Sequence, residues 1–431
     1  MRRPLRAVLA SCLAAGTLVV AGAAPAHAVD QECSAIRADN VDPTTAERTG
    51  SPVQLMQIAE AQRIVRESGK EPGEGVVVAV LDSGVVKGEL MLVGRGPRFS
   101  QSDEEEPLEM QGTAVAGLIA GKGEEDQPIG IAPGAAIYDI RIYDRLTPDP
   151  ATESAPDAAA LLEGMRHVAG LPRGTVDVVN VSVAVRQSTE LADELDAVLE
   201  DLARKDVVVV AATGDRPEEA DPLYAEFGYD GEEPPHGEDA RGVIWPANGP
   251  HVVGVNASAT VLVEDEVVPG DAADTVLRNA ATDVAAPTAD AVSVGLDGDS
   301  TCLLPDVSTA WAAAEVSGIV ALLRSYFPRE SAPQIVQRLL RTATGSPRAG
   351  TTLTGHGVVQ PVEALERPLP GKDDGGTRIV DQGNERAEAP QPEPDVLAST
   401  RRNAVWWGLL AGGALVVAVL LRPVLARRRD S

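Results

Sequence analysis

Histidine is scarce here: five residues in a chain of 431. His27 falls in the leader described below. Imidazole chemistry in the mature chain can therefore draw only on His167, His236, His251 and His356. His167 lies on a helix-like stretch, His236 in an acidic loop, and His251 at the start of a strand, and each reads as a structural or surface residue. Cysteine is scarcer still, at three. Basic residues are outnumbered, 37 Lys and Arg against 65 Asp and Glu, for a net charge of −28. That balance argues against a nucleic-acid partner and against an anionic membrane surface for the soluble part. The acidic runs Asp103–Glu106, Glu124–Asp126 and Glu264–Glu266 offer oxygen ligands for calcium. None has EF-hand spacing, so they read first as solvated loops, with no metal and no cofactor expected.

Long apolar runs are few, and two of them address the chain to a membrane. Arg2, Arg3 and Arg6 precede an apolar run from Ala7 to about Ala24, followed by Ala26-His27-Ala28. This is the pattern of a secretory signal peptide over 1–28, with the mature chain starting at Val29. Leu9-Ala10-Ser11-Cys12 also fits a lipobox, but the distance from Arg6 is short for an apolar region of about 7–15 residues. The second run, Ala404 to Leu421, is predicted to be a transmembrane helix, since 18 residues at about 1.5 Å each reach roughly 27 Å. Arg422 and Arg427 to Arg429 outweigh Arg401 and Arg402. The tail 422–431 is therefore expected in the cytoplasm, with the main domain outside and tethered to the cell membrane. Export leaves Cys33 and Cys302 as a candidate disulfide, worth about 4–5 kcal/mol by the chain-entropy model. Two free thiols are the alternative.

Between these ends the pattern alternates. Residues 29–73 form an N-terminal extension with a helical stretch from Gln54 to Glu67. Gly75 to Leu81 is a continuous apolar run that ends at Asp82-Ser83-Gly84. Helix-like Thr113 to Ala120 precedes strand-like Ala136 to Tyr143. Pro156 to Ala169 precedes Val176 to Val183, and Glu190 to Lys205 precedes Val207 to Ala212. His251 to Val255 and Thr282 to Ala286 are further strand candidates. Long and short helices follow at about Ala310 to Ser325 and Pro333 to Thr342, the latter behind Ser331 as a cap. Such alternation predicts an α/β domain over 74–366, a parallel sheet with helices on both faces. Residues 367–403, rich in Pro, Gly, Asp, Glu and Arg, read as a flexible linker.

Five segments in order carry a resemblance. Val78 to Gly84 is similar to the aspartate motif of subtilisin-like serine proteases, and Gln111-Gly112-Thr113-Ala114-Val115-Ala116-Gly117 to the histidine motif. Asn180 to Ala184 is similar to the strand that lines the substrate groove, placing Ser182, Val183 and Ala184 there. Val210 to Asp215 resembles the oxyanion-hole motif, and Ser308 to Gly318 the serine motif. With the leader, linker, single C-terminal apolar segment and the closing Gly355 to Pro361, the layout resembles mycosins, the membrane-anchored subtilases of type VII secretion systems. The resemblance implies type VII membrane components or substrates as partners.

The same resemblance implies that the chemistry is largely gone. Asp82 matches the triad aspartate, but Gln111 stands at the histidine position, Ala310 at the serine position and Asp215 at the oxyanion asparagine. In subtilisin, the type case for this chemistry, loss of Ser or His alone costs about 10⁶ in turnover. An ionised Asp215 about 4 Å from an oxyanion repels it by roughly 4 kcal/mol at an effective dielectric of 20. Gln111 is expected to donate its amide to Asp82, which on this reading is kept to hold local structure. Ala184 and Trp311 are expected to narrow the groove. Three functions follow: an inactive structural or regulatory member of a secretion complex, an active endopeptidase with atypical residues, or a module that binds peptides by β-augmentation without cutting them.

Overall fold

The structure, a computed structural model, describes Cys33, residues 50–368 apart from 126, 220, 222, 229–233, 236, 264–265 and 347–349, and residues 406–417 and 419. The expected leader, nearly all of the linker and the tail 422–431 lie outside the described residues. The chain divides into two units, residues 1–369 and 370–431. In the second, residues 406–417 and 419 are helical. Among the described residues no helix is long and apolar enough to cross a membrane, and the rest of the expected 404–421 span is outside them.

The first unit is built on a seven-stranded sheet. Its strands are Val77–Asp82 (β1), Leu92–Arg98 (β2), Ala136–Arg141 (β3), Val178–Val181 (β4), Val208–Ala212 (β5), Val252–Ser258 (β6) and Val284–Pro287 (β7). They lie in the order β7-β6-β5-β4-β1-β3-β2, and every pairing is parallel. The side-chain period of two sorts the apolar runs onto both faces. Val78, Val80, Ile137, Val178, Val208 and Val210 enter one core, whereas Ala79, Leu81, Ile140, Val179, Val181 and Val209 enter the other.

Helices cover both faces. Ile58–Glu67 (α1), Gln111–Ala120 (α2), Thr309–Tyr326 (α5) and Ala332–Thr342 (α6) bury their apolar residues in the first core. Ala158–Gly170 (α3) and Ala192–Arg204 (α4) bury theirs in the second. The α2 helix is buried on every side, as suits an apolar helix in the middle of a large domain. Caps follow the sequence: Asp157 accepts from Ala159 and Ala160 at the start of α3, and Ser331 forms a capping box with Gln334 at α6.

Two local expectations are corrected. The helical stretch from Gln54 to Glu67 is two helices, Ser51–Leu55 and α1, broken where Gln57 takes a left-handed φ of 54°. Trp311, expected beside the groove, packs its side chain into the first core. The edge strand β2 was not legible, because Leu92-Val93-Gly94-Arg95-Gly96-Pro97-Arg98 has no apolar run. A sheet edge tolerates its proline. An antiparallel hairpin, Ala291–Val294 with Thr301–Leu304, carries Cys302. Cys302 is disulfide-bonded to Cys33, 269 positions away, a closure worth about 5.5 kcal/mol by the chain-entropy model.

Candidate functional site

In an open parallel sheet, loops at the C-terminal strand ends gather at one edge. Asp82 ends β1, Ser182 to Ala184 follow β4, and Gly214 and Asp215 follow β5. The starts of α2, at Gln111, and α5, at Thr309-Ala310, complete the cluster. The α2 start is held close to the β1 loop. Ser83 Oγ accepts from Gly112 N at 3.0 Å. A Cβ added to Gly112 would sit 2.3 Å from Gly84 O, so only glycine fits there.

Asp82 is 1% exposed. Its Oδ1 accepts from Ser83 N at 2.7 Å and from the Tyr143 hydroxyl at 2.8 Å, while Oδ2 is buried with no partner. Gln111 is not among its donors, which corrects the expected Gln111–Asp82 pair: Tyr143, two residues beyond β3, has that role. Burial pushes the Asp82 carboxyl up to about 6, against the lowering pull of Ser83, Tyr143 and Ser182. Two neighbouring carboxyls share the effect. Burial raises Asp139 to about 7 although it accepts from Val85 N, and burial also raises Glu109, which accepts from Leu146 N. The Asp82 charge adds to both shifts.

Asp215 is arranged differently. The residue as a whole is exposed, yet its carboxyl is packed against the α5 start, where burial raises it against the lowering pull of Ser308 and Thr309, and both of its oxygens are used. Ser308 Oγ donates to Oδ2 at 2.6 Å and Thr309 N donates to Oδ1 at 2.6 Å. Ser308 in turn caps α5 by accepting from Ala310 N at 3.1 Å. The carboxylate therefore sits on the N-terminus of α5, where the free N–H groups and helix dipole favour an anion. The backbone N–H groups of Thr309 and Ala310 are both occupied from within the chain.

On β4, Ser317 of α5 donates to Asn180 Oδ1 at 2.8 Å, and Asn180 donates to Ser182 Oγ at 2.6 Å. Ser182 and Val183 are buried and Ala184 is partly buried. Ala310 is 7% exposed and lacks any group that could attack a carbonyl. Two histidines are engaged elsewhere, His167 with Tyr138 and His356 with Ser346 O; His251 is exposed just before β6, and His236 is outside the described residues.

Sequence reading missed Tyr143 and the engagement of Asp215 with α5. In a chain with 3% aromatics, a tyrosine just past a buried strand was the available signal. It also missed Glu315, buried in α5 with Oε2 unpartnered and its carboxyl pushed well above the usual range by burial. The acidic run at 103–106 is exposed, as expected of a solvated loop, while its main chain is tied to the domain. Arg95, Arg98 and the buried Arg141 donate to the carbonyls of Glu104, Glu105 and Glu106. Among the described residues no group of three or more His, Cys, Asp or Glu could hold a metal ion.

Comparison with known proteins places this geometry. The model of the subtilase family, peptidase S8, matches residues 73–364. Mycosin-3 of Mycobacterium tuberculosis is 30% identical over 83% of this chain and 80% of its own length. The MycP3 protease structure from the type VII (ESX-3) secretion system superposes with a TM-score of 0.57 at 29% identity, covering 76% of this chain and 91% of that one. A chain of the intact ESX-5 inner membrane complex has the same fold, with a TM-score of 0.57 at 23% identity, covering 91% and 95%. With the family model spanning most of the chain and the aspartate, groove and serine segments meeting at one sheet edge, the chain belongs to the subtilase family and, within it, to the mycosin type.

Proposed function

We propose that this chain is a pseudoprotease: a mycosin-type subtilase domain held outside the cell membrane by its C-terminal apolar segment, acting as a structural or regulatory component of a type VII secretion complex. The observation that carries this reading is the α5 start. At the serine position stands Ala310. Its N–H caps onto Ser308, and the neighbouring Thr309 N–H is taken by Asp215. Acyl transfer requires a nucleophile, a base beside it and free donors aimed at the developing oxyanion. On this reading Ala310 supplies no nucleophile, Gln111 supplies no base, and Asp215 places an anion on the donors. A folded, well-packed domain with such a site supports retention for binding rather than turnover.

The secretion role is supported by kinship with mycosins and by the solved ESX-5 inner membrane complex, in which a chain of the same fold is a component. Two measurements test it. The purified full chain is expected to show no peptide cleavage above an Asp82→Ala control and no labelling by a serine-directed phosphonate. The anchored protein is expected to co-purify from membranes with secretion components, and its deletion to impair secretion or assembly of the complex. Turnover above the control overturns the pseudoprotease reading. Purification free of secretion components, or unchanged secretion and assembly after deletion, overturns the secretion role.

A further inference from the structure

Gly214, with φ +109°, turns the chain between β5 and Asp215. A Cβ added there would lie 3.1 Å from Leu277 Cδ1, 3.6 Å from Ala184 Cβ and 3.7 Å from Ile244 Cγ1. Side chains from three separate segments thus converge on the face of Gly214, beside the start of α5. Ile244 and Leu277 are completely buried. With Leu223, Phe227 and Ala240 they form a small apolar cluster, distinct from the two main cores.

The backbone around this cluster is paired with the chain itself. Leu277 N donates to Gly214 O, and Arg216 N donates to Thr275 O. An isolated antiparallel bridge joins Asp215 to Val276. On the other side, Val185–Arg186 pairs antiparallel with Ile244–Trp245. The segments that follow β4 and β5 therefore each have a partner supplied internally.

We propose that this cluster is a plug: Ile244 and Leu277 fill the space beside Gly214 that a substrate side chain would need. The inference rests on the pseudoprotease reading and extends it, because the groove is closed by packing independently of the missing catalytic atoms. Side chains packed at crystal-like density do not yield to a peptide without being displaced, and the residues to displace here are wholly buried. Restoring the chemistry alone is therefore insufficient; an apolar substrate side chain is accepted only once the plug is trimmed.

The test uses the full chain carrying Gln111→His, Asp215→Asn and Ala310→Ser together. Two probes are applied, a small fluorophosphonate and a fluorogenic peptide with leucine before the scissile bond. In labelling, the introduced hydroxyl oxygen bonds to phosphorus, fluoride leaves, and the hydroxyl proton passes to the introduced imidazole. The triple variant is expected to be labelled, yet to cleave the peptide at least about 100-fold more slowly than the same variant with Ile244→Gly or Leu277→Ala added, a difference on the scale that pocket filling produces. Equal cleavage with and without trimming, in variants that the small probe labels, overturns the plug. Failure of the pseudoprotease reading is seen separately, as cleavage by the unaltered chain.

Discussion

Asp82 and Asp215 follow buried strands of the same sheet and reach the same edge, and burial raises both carboxyls, but their donors are distributed differently. Asp82 is almost fully buried, with two donors on one oxygen and none on the other. Asp215 is exposed, with a donor on each oxygen and a helix N-terminus behind it. The first is a carboxyl in a setting that disfavours its charge. The second is also raised by burial, but a donor on each oxygen and the helix N-terminus pull against that rise. Burial alone does not make a functional acid; the partners that come with it decide which protonation state the fold prefers.

The largest expected effect that sharpens this contrast is the pH dependence of Asp82. Its carboxyl is raised by burial from 3.8 to about 6. The folded state then holds the proton more tightly than the unfolded state between those values. Its contribution to stability is complete below about pH 4 and is lost as pH rises to about 6, a swing on the order of 3 kcal/mol. Asp82→Asn is expected to remove that slope. Urea midpoints of the two proteins across pH 4 to 7 measure it, and parallel profiles would break the assignment.

Next comes Asp215→Ala, which deletes both acceptors at α5. It is expected to cost about 2 kcal/mol at pH 7, since Ser308 Oγ and Thr309 N lose their acceptors at a buried helix start. Asp215→Asn keeps one acceptor and is expected to cost about 1 kcal/mol. Denaturant titration distinguishes them, and no loss in either would mean that the carboxylate is not holding the helix.

Tyr143→Phe is expected to cost about 1 kcal/mol and to move the Asp82 titration above about 6, followed by NMR of the carboxyl carbon. Gln111→Ala, at a buried helix start, is expected to cost no more than about 1 kcal/mol, with the Asp82 titration unmoved. A shift on Gln111→Ala would restore the glutamine–aspartate pair that the structure replaces with Tyr143.

Much of the scaffold was legible because it is local. Val77 to Leu81 and Val208 to Ala212 are apolar runs, and Val178 to Val181 is one apart from Asn180, which suits strands buried on both faces. Ser331 and Gln334 stand at capping-box spacing. Strand β2 escaped because an edge does not require an apolar run. The break at Gln57 escaped because a left-handed turn at glutamine has no strong local signal. The positions read from the sequence, Asp82, Gln111, Ser182 to Ala184, Asp215 and Ala310, lie at strand ends and helix starts of one sheet edge, but their contacts were not legible.

By itself, then, the sequence determined the alternating architecture, the order of the motifs and which residue types stand at each. These depend on period and composition within short windows. Only the tertiary structure decided that Tyr143 and not Gln111 donates to Asp82, and that Asp215 is bound to the α5 start. It alone brought Ile244 and Leu277 together beside Gly214. Each of those contacts joins segments far apart in the chain, 61 positions for Tyr143 and Asp82 and 93 for Ser308 and Asp215. No local pattern encodes which distant donor arrives first at a buried oxygen; the packing of the sheet and its helices does.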